Sequence, residues 1–199
     1  MNRSLPPLYL ISDAERVGEE RFLAAAEAAV GAGLRWVQVR EPGWSVERVR
    51  ALIVRLRERI PRALEGQVLI VANRWTELVS ELRLAGVHVG GGNPAGVADA
   101  RAMLGPDPLV GYSSHRLDEL EGAARAGASY VSYSPVFGAI SKRHPLPPVG
   151  LEGLKAACKA SGVPVYALGG VRPEHARELR RAGAAGAAMI GAILDAKDP

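Results

Sequence analysis

His115 is the residue best suited to move a proton. It directly follows Tyr112-Ser113-Ser114, the end of a strand-like run. An imidazole with an ordinary pKa of about 6.5 can both take and return a proton near neutral pH. A second kind of chemistry is written in glycine. Leu168-Gly169-Gly170-Val171 precedes Pro173, and Ile190-Gly191-Ala192 follows a late apolar run. Backbone N–H groups bared at glycines can approach an anion closely. Gly169, Gly170, Ile190 and Gly191 are therefore the expected phosphate cradle. Arg40, Lys142, Ser141 and Asn73 are the expected substrate-binding side chains. Arg40 ends a strand-like run, while Ser141 and Lys142 sit at the cationic tip of a long loop, residues 134–148. Long loops that follow strands often close over a ligand. His88 lies inside a strand-like run, where a site role and a satisfied core role are equally open. His175 lies in a helical stretch beside Glu174 and Arg177 and reads as a surface residue. No metal-ligand spacing, nucleophile elbow or nucleotide-phosphate loop is present, so neither metal nor cofactor is expected.

These residues need elements to bring them together, and the chain alternates. Eight short apolar runs read as strands: Leu8–Ser12, Trp36–Arg40, Val68–Ala72, Gly86–Gly90, Leu109–Tyr112, Tyr130–Ser134, Val163–Leu168 and Gly186–Ile190. Stretches of helical period lie between them, at about 19–32, 45–62, 74–83, 96–104, 116–126, 150–161 and 173–182. Strand-helix alternation demands parallel pairing, and eight such units close into a (β/α)8 TIM barrel. An open doubly wound sheet is the weaker alternative. The phrase Ala-Gly recurs before the strands at Gly33, Gly86, Gly127 and Gly183, where a helix must turn back. Pro199 falls nine residues after the last strand. The expectation is a minimal single-domain barrel over 1–199 with its last helix absent or very short. A second copy could cover the surface left bare, so a homodimer is expected.

Composition removes other classes. The chain has 199 residues, one cysteine and a formal charge of +4. Cys158 alone can build neither a disulfide framework nor a cysteine-rich zinc site. The apolar runs fall short of the ~18 residues of a membrane span, and the first residues lack a signal-peptide core. No membrane association and a cytoplasmic location are expected. Arginines crowd the segment 48–59, but Glu47, Glu58 and Glu65 accompany them and aromatics are sparse. That pattern is a solvated helix face, so no nucleic-acid partner is expected.

The strand ends resemble those of the thiamin phosphate synthase superfamily. The resemblance rests on Tyr9-Leu10-Ile11-Ser12-Asp13, Val37-Gln38-Val39-Arg40-Glu41, Leu69–Arg74, Gly86–Gly90 and Tyr112-Ser113-Ser114-His115. It continues through Ser134-Pro135-Val136-Phe137 with Ser141-Lys142, Ala167–Gly170 and Ile190–Ile193, in family order. It implies a small phosphorylated thiazole as ligand. Synthases join that thiazole to a pyrimidine pyrophosphate with Mg²⁺. Where their pattern has Arg-Glu-Lys, this chain has Arg40-Glu41-Pro42, and where it has two metal-binding aspartates, this chain has Asn73 and Asn93. Neutral amides are poorer partners than carboxylates for a hard cation. The departures bring the chain nearest to the TenI-type thiazole tautomerases, which move a ring proton without metal, and match their histidine with His115. A metal-free tautomerase is the first expectation. A synthase and a non-catalytic ligand-binding regulatory protein are the alternatives.

Overall fold

The strand runs are apolar on both sides because both sides are covered. In the computed structural model, which describes residues 5–92, 94–138 and 146–197, eight parallel strands close in sequence order into a barrel. They are β1 (Leu8–Ile11), β2 (Trp36–Val39), β3 (Leu69–Asn73), β4 (Gly86–Val89), β5 (Leu109–Ser114), β6 (Tyr130–Tyr133), β7 (Val165–Ala167) and β8 (Gly186–Met189). Closure is sealed by Leu8, Tyr9 and Leu10 of β1 beside Ala187, Ala188 and Met189 of β8. Side chains alternate along each strand. Leu10, Val37, Ile70, Val87 and Val131 face outward into the layer shared with the helices. Tyr9, Trp36, Val71, Tyr130 and Tyr166 fill the barrel interior.

That interior is unusually aromatic. Tyr9 lies 4.4 Å from Trp36, and Tyr130 meets Trp36 edge-on at 4.7 Å between ring centres. Such tilted and edge-on pairs suit aromatic quadrupoles. Room for the rings comes from glycine on neighbouring strands. A Cβ at Gly111 would collide with the Tyr130 ring and with His88 Nδ1.

The outer ring consists of α1 (Ala14–Val17), α2 (Glu19–Gly31), α3 (Val46–Arg59), α4 (Glu77–Glu81), α5 (Ala95–Leu104), α6 (Asp118–Arg125), α7 (Gly150–Ala160), α8 (Ala176–Arg181) and α9 (Gly191–Leu194). In α3, Val49, Leu52, Ile53 and Leu56 form the buried stripe. Its arginines face outward and pair with neighbouring helices, Arg55 with Glu19 at 2.7 Å and Arg59 with Glu27 at 3.2 Å. The arginine-rich segment is thus a solvated, ion-paired face. The last helix has four residues, matching the expectation of a vestigial one. It is tied to α2 through Arg21 Nε, which donates to Leu194 O at 3.1 Å.

One glycine expectation fails in a simple way. Gly33, Gly127 and Gly183 do take the left-handed conformation after their helices. At the second of the four repeats that conformation falls to Arg83, φ 48°, while Gly86 lies inside β4 and packs against the Leu109 backbone. Close strand approach, not a turn, requires glycine there. Among the described residues no helix is long and apolar enough to cross a membrane.

Candidate active site

A cavity of about 720 Å³ opens at the carboxyl ends of β7 and β8. Gly169 and Gly170 line it with φ values of 92° and 67°. Those angles are costly for any residue with a Cβ. Space excludes one as well, since a Cβ at Gly170 would lie 2.5 Å from the Gly138 carbonyl oxygen. The loop after β6 fixes this turn. Val136 N donates to Leu168 O and Phe137 N to Gly169 O, both at 2.9 Å. The N–H groups of Gly169, Gly170 and Val171 have no hydrogen-bond partner among the described residues. Three consecutive donors at a cavity wall form an anion-binding concavity. Ile190 and Gly191 line the same cavity from β8, so the four cradle residues expected from the sequence do converge.

His115 is half-buried at the end of β5. Its Nδ1 lies 2.7 Å from Ser134 O and 3.2 Å from Ser134 Oγ. A carbonyl oxygen can only accept, so Nδ1 carries the hydrogen and Nε2 is left with a lone pair. Ser134 lines the cavity, whereas His115 and Arg40 are not among its lining residues, and His115 reaches it only through its contact with Ser134.

The β2 to β4 side is polar and tightly bonded. Glu41 is 3% exposed and accepts from Ser12 Oγ at 2.5 Å, Ala14 N at 2.8 Å and Glu15 N at 2.9 Å. Ser12 Oγ in turn accepts from Arg40 N at 2.8 Å. This network holds the backbone from which Arg40 extends, while the Arg40 guanidinium makes no hydrogen bond among the described residues. Asn73 does not cap a helix. Its amide donates to His88 O at 3.2 Å. His88 is a satisfied interior group, with Tyr130 Oη at 3.0 Å and Ser113 Oγ at 2.9 Å. Burial, helped by the charge of Arg40, pushes its pKa down to about 3.

Asp13 precedes α1 but does not cap it, because its carboxylate binds Arg16 at 2.6 Å instead. One further sequence expectation, the surface reading of His175, shifts. His175 is no bystander on a helix face. It lines the cavity and stacks on Phe137, with ring centres 4.0 Å apart. Gln38 was passed over, yet its Oε1 is buried without a partner; it shares the inward face of β2 with Trp36. Ser141, Lys142 and Asn93 lie outside the described residues.

The metal question rests on donor chemistry. Among the described residues no cluster of three or more His, Cys, Asp or Glu could hold a metal ion. Asn73 donates through its amide nitrogen to His88 O and offers a neutral amide oxygen. A neutral amide oxygen is a poorer partner for Mg²⁺ than a carboxylate.

Residues 8–193 match the family model described as thiamine monophosphate synthase. The thiamine-phosphate synthase of Anaeromyxobacter dehalogenans is 37% identical over 192 residues, covering 96% of this chain and 82% of that protein. The thiamine-phosphate synthase of a Psychrobacter species is 32% identical over 195 residues, covering 96% and 89%. A solved thiamine phosphate pyrophosphorylase from Pyrococcus furiosus superposes with a TM-score of 0.80 at 26% identity, covering 96% of this chain and 88% of that one. These names favour the transferase alternative over the isomerase expected first from the strand-end substitutions.

Proposed function

The chain belongs to the thiamine monophosphate synthase family, and on that premise we propose that it is a transferase of thiamine biosynthesis. It joins a phosphorylated thiazole to a pyrimidine pyrophosphate. The observation that carries this reading is the bared N–H run Gly169–Val171 at a cavity of about 720 Å³, in a chain 37% identical to a named synthase. In the reaction the thiazole nitrogen forms a bond to the pyrimidine methylene carbon. The carbon–oxygen bond to pyrophosphate breaks, and pyrophosphate leaves with its electron pair. This chain's residues bind and orient the reactants. The cradle of Gly169, Gly170, Ile190 and Gly191 takes the thiazole phosphate. Arg40, held through Ser12 and Glu41, supplies a cation for the second anionic group. Ser141 and Lys142 are assigned to substrate binding on sequence alone. Family synthases use Mg²⁺; Asn73, where they carry an aspartate, offers a neutral amide oxygen, and no step is routed through a metal.

A second reading, proton transfer on a carboxylated thiazole phosphate tautomer, is favoured by one observation. His115 donates through Nδ1 to Ser134 O, which leaves Nε2 able to act as a base. One assay run twice decides between the readings. Thiazole phosphate plus pyrimidine pyrophosphate with Mg²⁺ is expected to yield thiamine phosphate. Turnover of the carboxylated tautomer alone, without coupling, would replace the transferase reading with the isomerase one. Binding of thiazole phosphate without turnover in either assay would leave a ligand-binding protein.

A further inference from the structure

Beside the glycine cradle lies a charge arrangement that phosphate binding by backbone N–H groups does not explain. Arg16 lines the cavity from α1, and Asp195 lines it from just beyond α9. Arg16 Nη1 lies 2.9 Å from Asp195 Oδ1, and Arg16 Nε lies 2.6 Å from Asp13 Oδ2. The other oxygen of Asp195 sits 2.8 Å from the place a Gly191 Cβ would occupy. A carboxylate is therefore lodged between a guanidinium and the Gly191 edge of the cradle. It presents there what a phosphate would present, an anionic oxygen accepting from Arg16.

We propose that Arg16 is a phosphate-binding side chain of this site and that Asp195 is its internal placeholder. An entering phosphate monoester displaces Asp195 from Arg16 Nη1, while Asp13 keeps Nε and so keeps the guanidinium aimed at the cradle. The exchange is one anion for another, with no covalent step. A dianion is the stronger partner for a guanidinium than a monocarboxylate. The exchange is also inexpensive in desolvation. The side chains of Arg16 and Asp195 are 42% and 53% exposed, and exposed pairs are weak. The two carboxylates, Asp195 first and then Asp13, push the Arg16 pKa up further, so its charge is permanent. Once displaced, Asp195 loses its ion pair and turns to solvent, which its exposure already permits.

The inference rests on the phosphate-cradle reading, so its test carries a control for that reading. Full-length protein is titrated with inorganic phosphate at pH 8 by calorimetry, as wild type and as three variants. Gly170→Val is expected to abolish binding, which locates the ion at the cradle. Arg16→Gln is expected to weaken binding by roughly five- to tenfold, as loss of one charge-assisted hydrogen bond at a part-exposed site would do. Asp195→Asn is expected to tighten it by about threefold, since a competing anion is removed. A damaged fold cannot produce tighter binding, so the third variant guards the second. If Gly170→Val abolishes binding while Arg16→Gln leaves it unchanged, the cradle stands and the Arg16 assignment falls. If Asp195→Asn lowers the thermal midpoint without tightening binding, the Arg16–Asp195 pair only pins α9 in place. If Gly170→Val leaves binding intact, the cradle reading fails and this inference fails with it.

Discussion

His115 Nδ1 lies 2.7 Å from the carbonyl oxygen of Ser134, and that contact decides the tautomer. Because the carbonyl only accepts, Nδ1 holds the hydrogen and the neutral ring bears its lone pair at Nε2. His115→Asn removes this base and keeps a polar side chain. Turnover of the carboxylated thiazole phosphate tautomer, if the enzyme carries it, should fall about 100-fold. Affinity for phosphate should hold within about twofold, since the cradle is built from other residues. Steady-state assay of the variant beside a phosphate titration checks both. Undiminished turnover would remove His115 from the proton transfer.

Gly111 faces the barrel interior where a Cβ would strike the Tyr130 ring and His88 Nδ1. Neither neighbour can retreat, because Tyr130 is wedged against Trp36 and His88 is bonded to Ser113. Gly111→Ala is therefore expected to cost about 3 kcal/mol by overpacking, measured by urea unfolding. An alanine variant as stable as wild type would show that the interior has slack.

Much of this was legible in the sequence, and what was not shares a cause. Strand order followed from apolar runs alternating with helical ones, a local signal. The convergence of Gly169, Gly170 and Gly191 on one cavity was legible because they lie just beyond strand ends. Arg16 and Asp195 were not, since 179 positions separate them and only barrel closure makes them neighbours. His175 was misread for the same reason. Its partner Phe137 arrives on the loop after β6, and no helical periodicity reports such a contact. Arg83 took a left-handed conformation expected of glycine because the backbone turn is set by the β4 position, not by the residue's preference. Glu41 was read as part of a motif without a role, because its donors Ser12, Ala14 and Glu15 lie in the turn after β1 and the start of α1, more than 25 positions away.

Glu41 holds three donors with two oxygens in a site from which water is excluded. Glu41→Gln replaces one acceptor oxygen by an N–H₂ group facing other donors. An unsatisfied buried donor is costly, so the variant should lose about 2 kcal/mol, a drop of roughly 5 °C in melting temperature. Differential scanning calorimetry measures the drop. An unchanged midpoint would mean that the β1 and β2 ends hold without this carboxylate.

His88 gives the protein an acid-sensitive interior. Burial first, and the Arg40 charge second, push its pKa from 6.5 to about 3, so the folded protein keeps it neutral over a range where the unfolded chain binds a proton. Its contribution is fully present above about pH 6.5 and is lost as the pH falls toward 3. The slope for one such group approaches 1.4 kcal/mol per pH unit. Glu47, Glu81 and Asp118 are also held below their usual carboxylate range, by hydrogen bonds to backbone, Arg50 and Arg116 respectively. Those groups act at lower pH, which leaves pH 6.5 to 5 as the window for His88. Wild type should lose about 2 kcal/mol across it. His88→Gln should be less stable at pH 8 yet lose correspondingly less on acidification. Urea unfolding of both proteins at half-unit pH steps provides the comparison. Parallel stability curves would mean that His88 does not couple folding to protons.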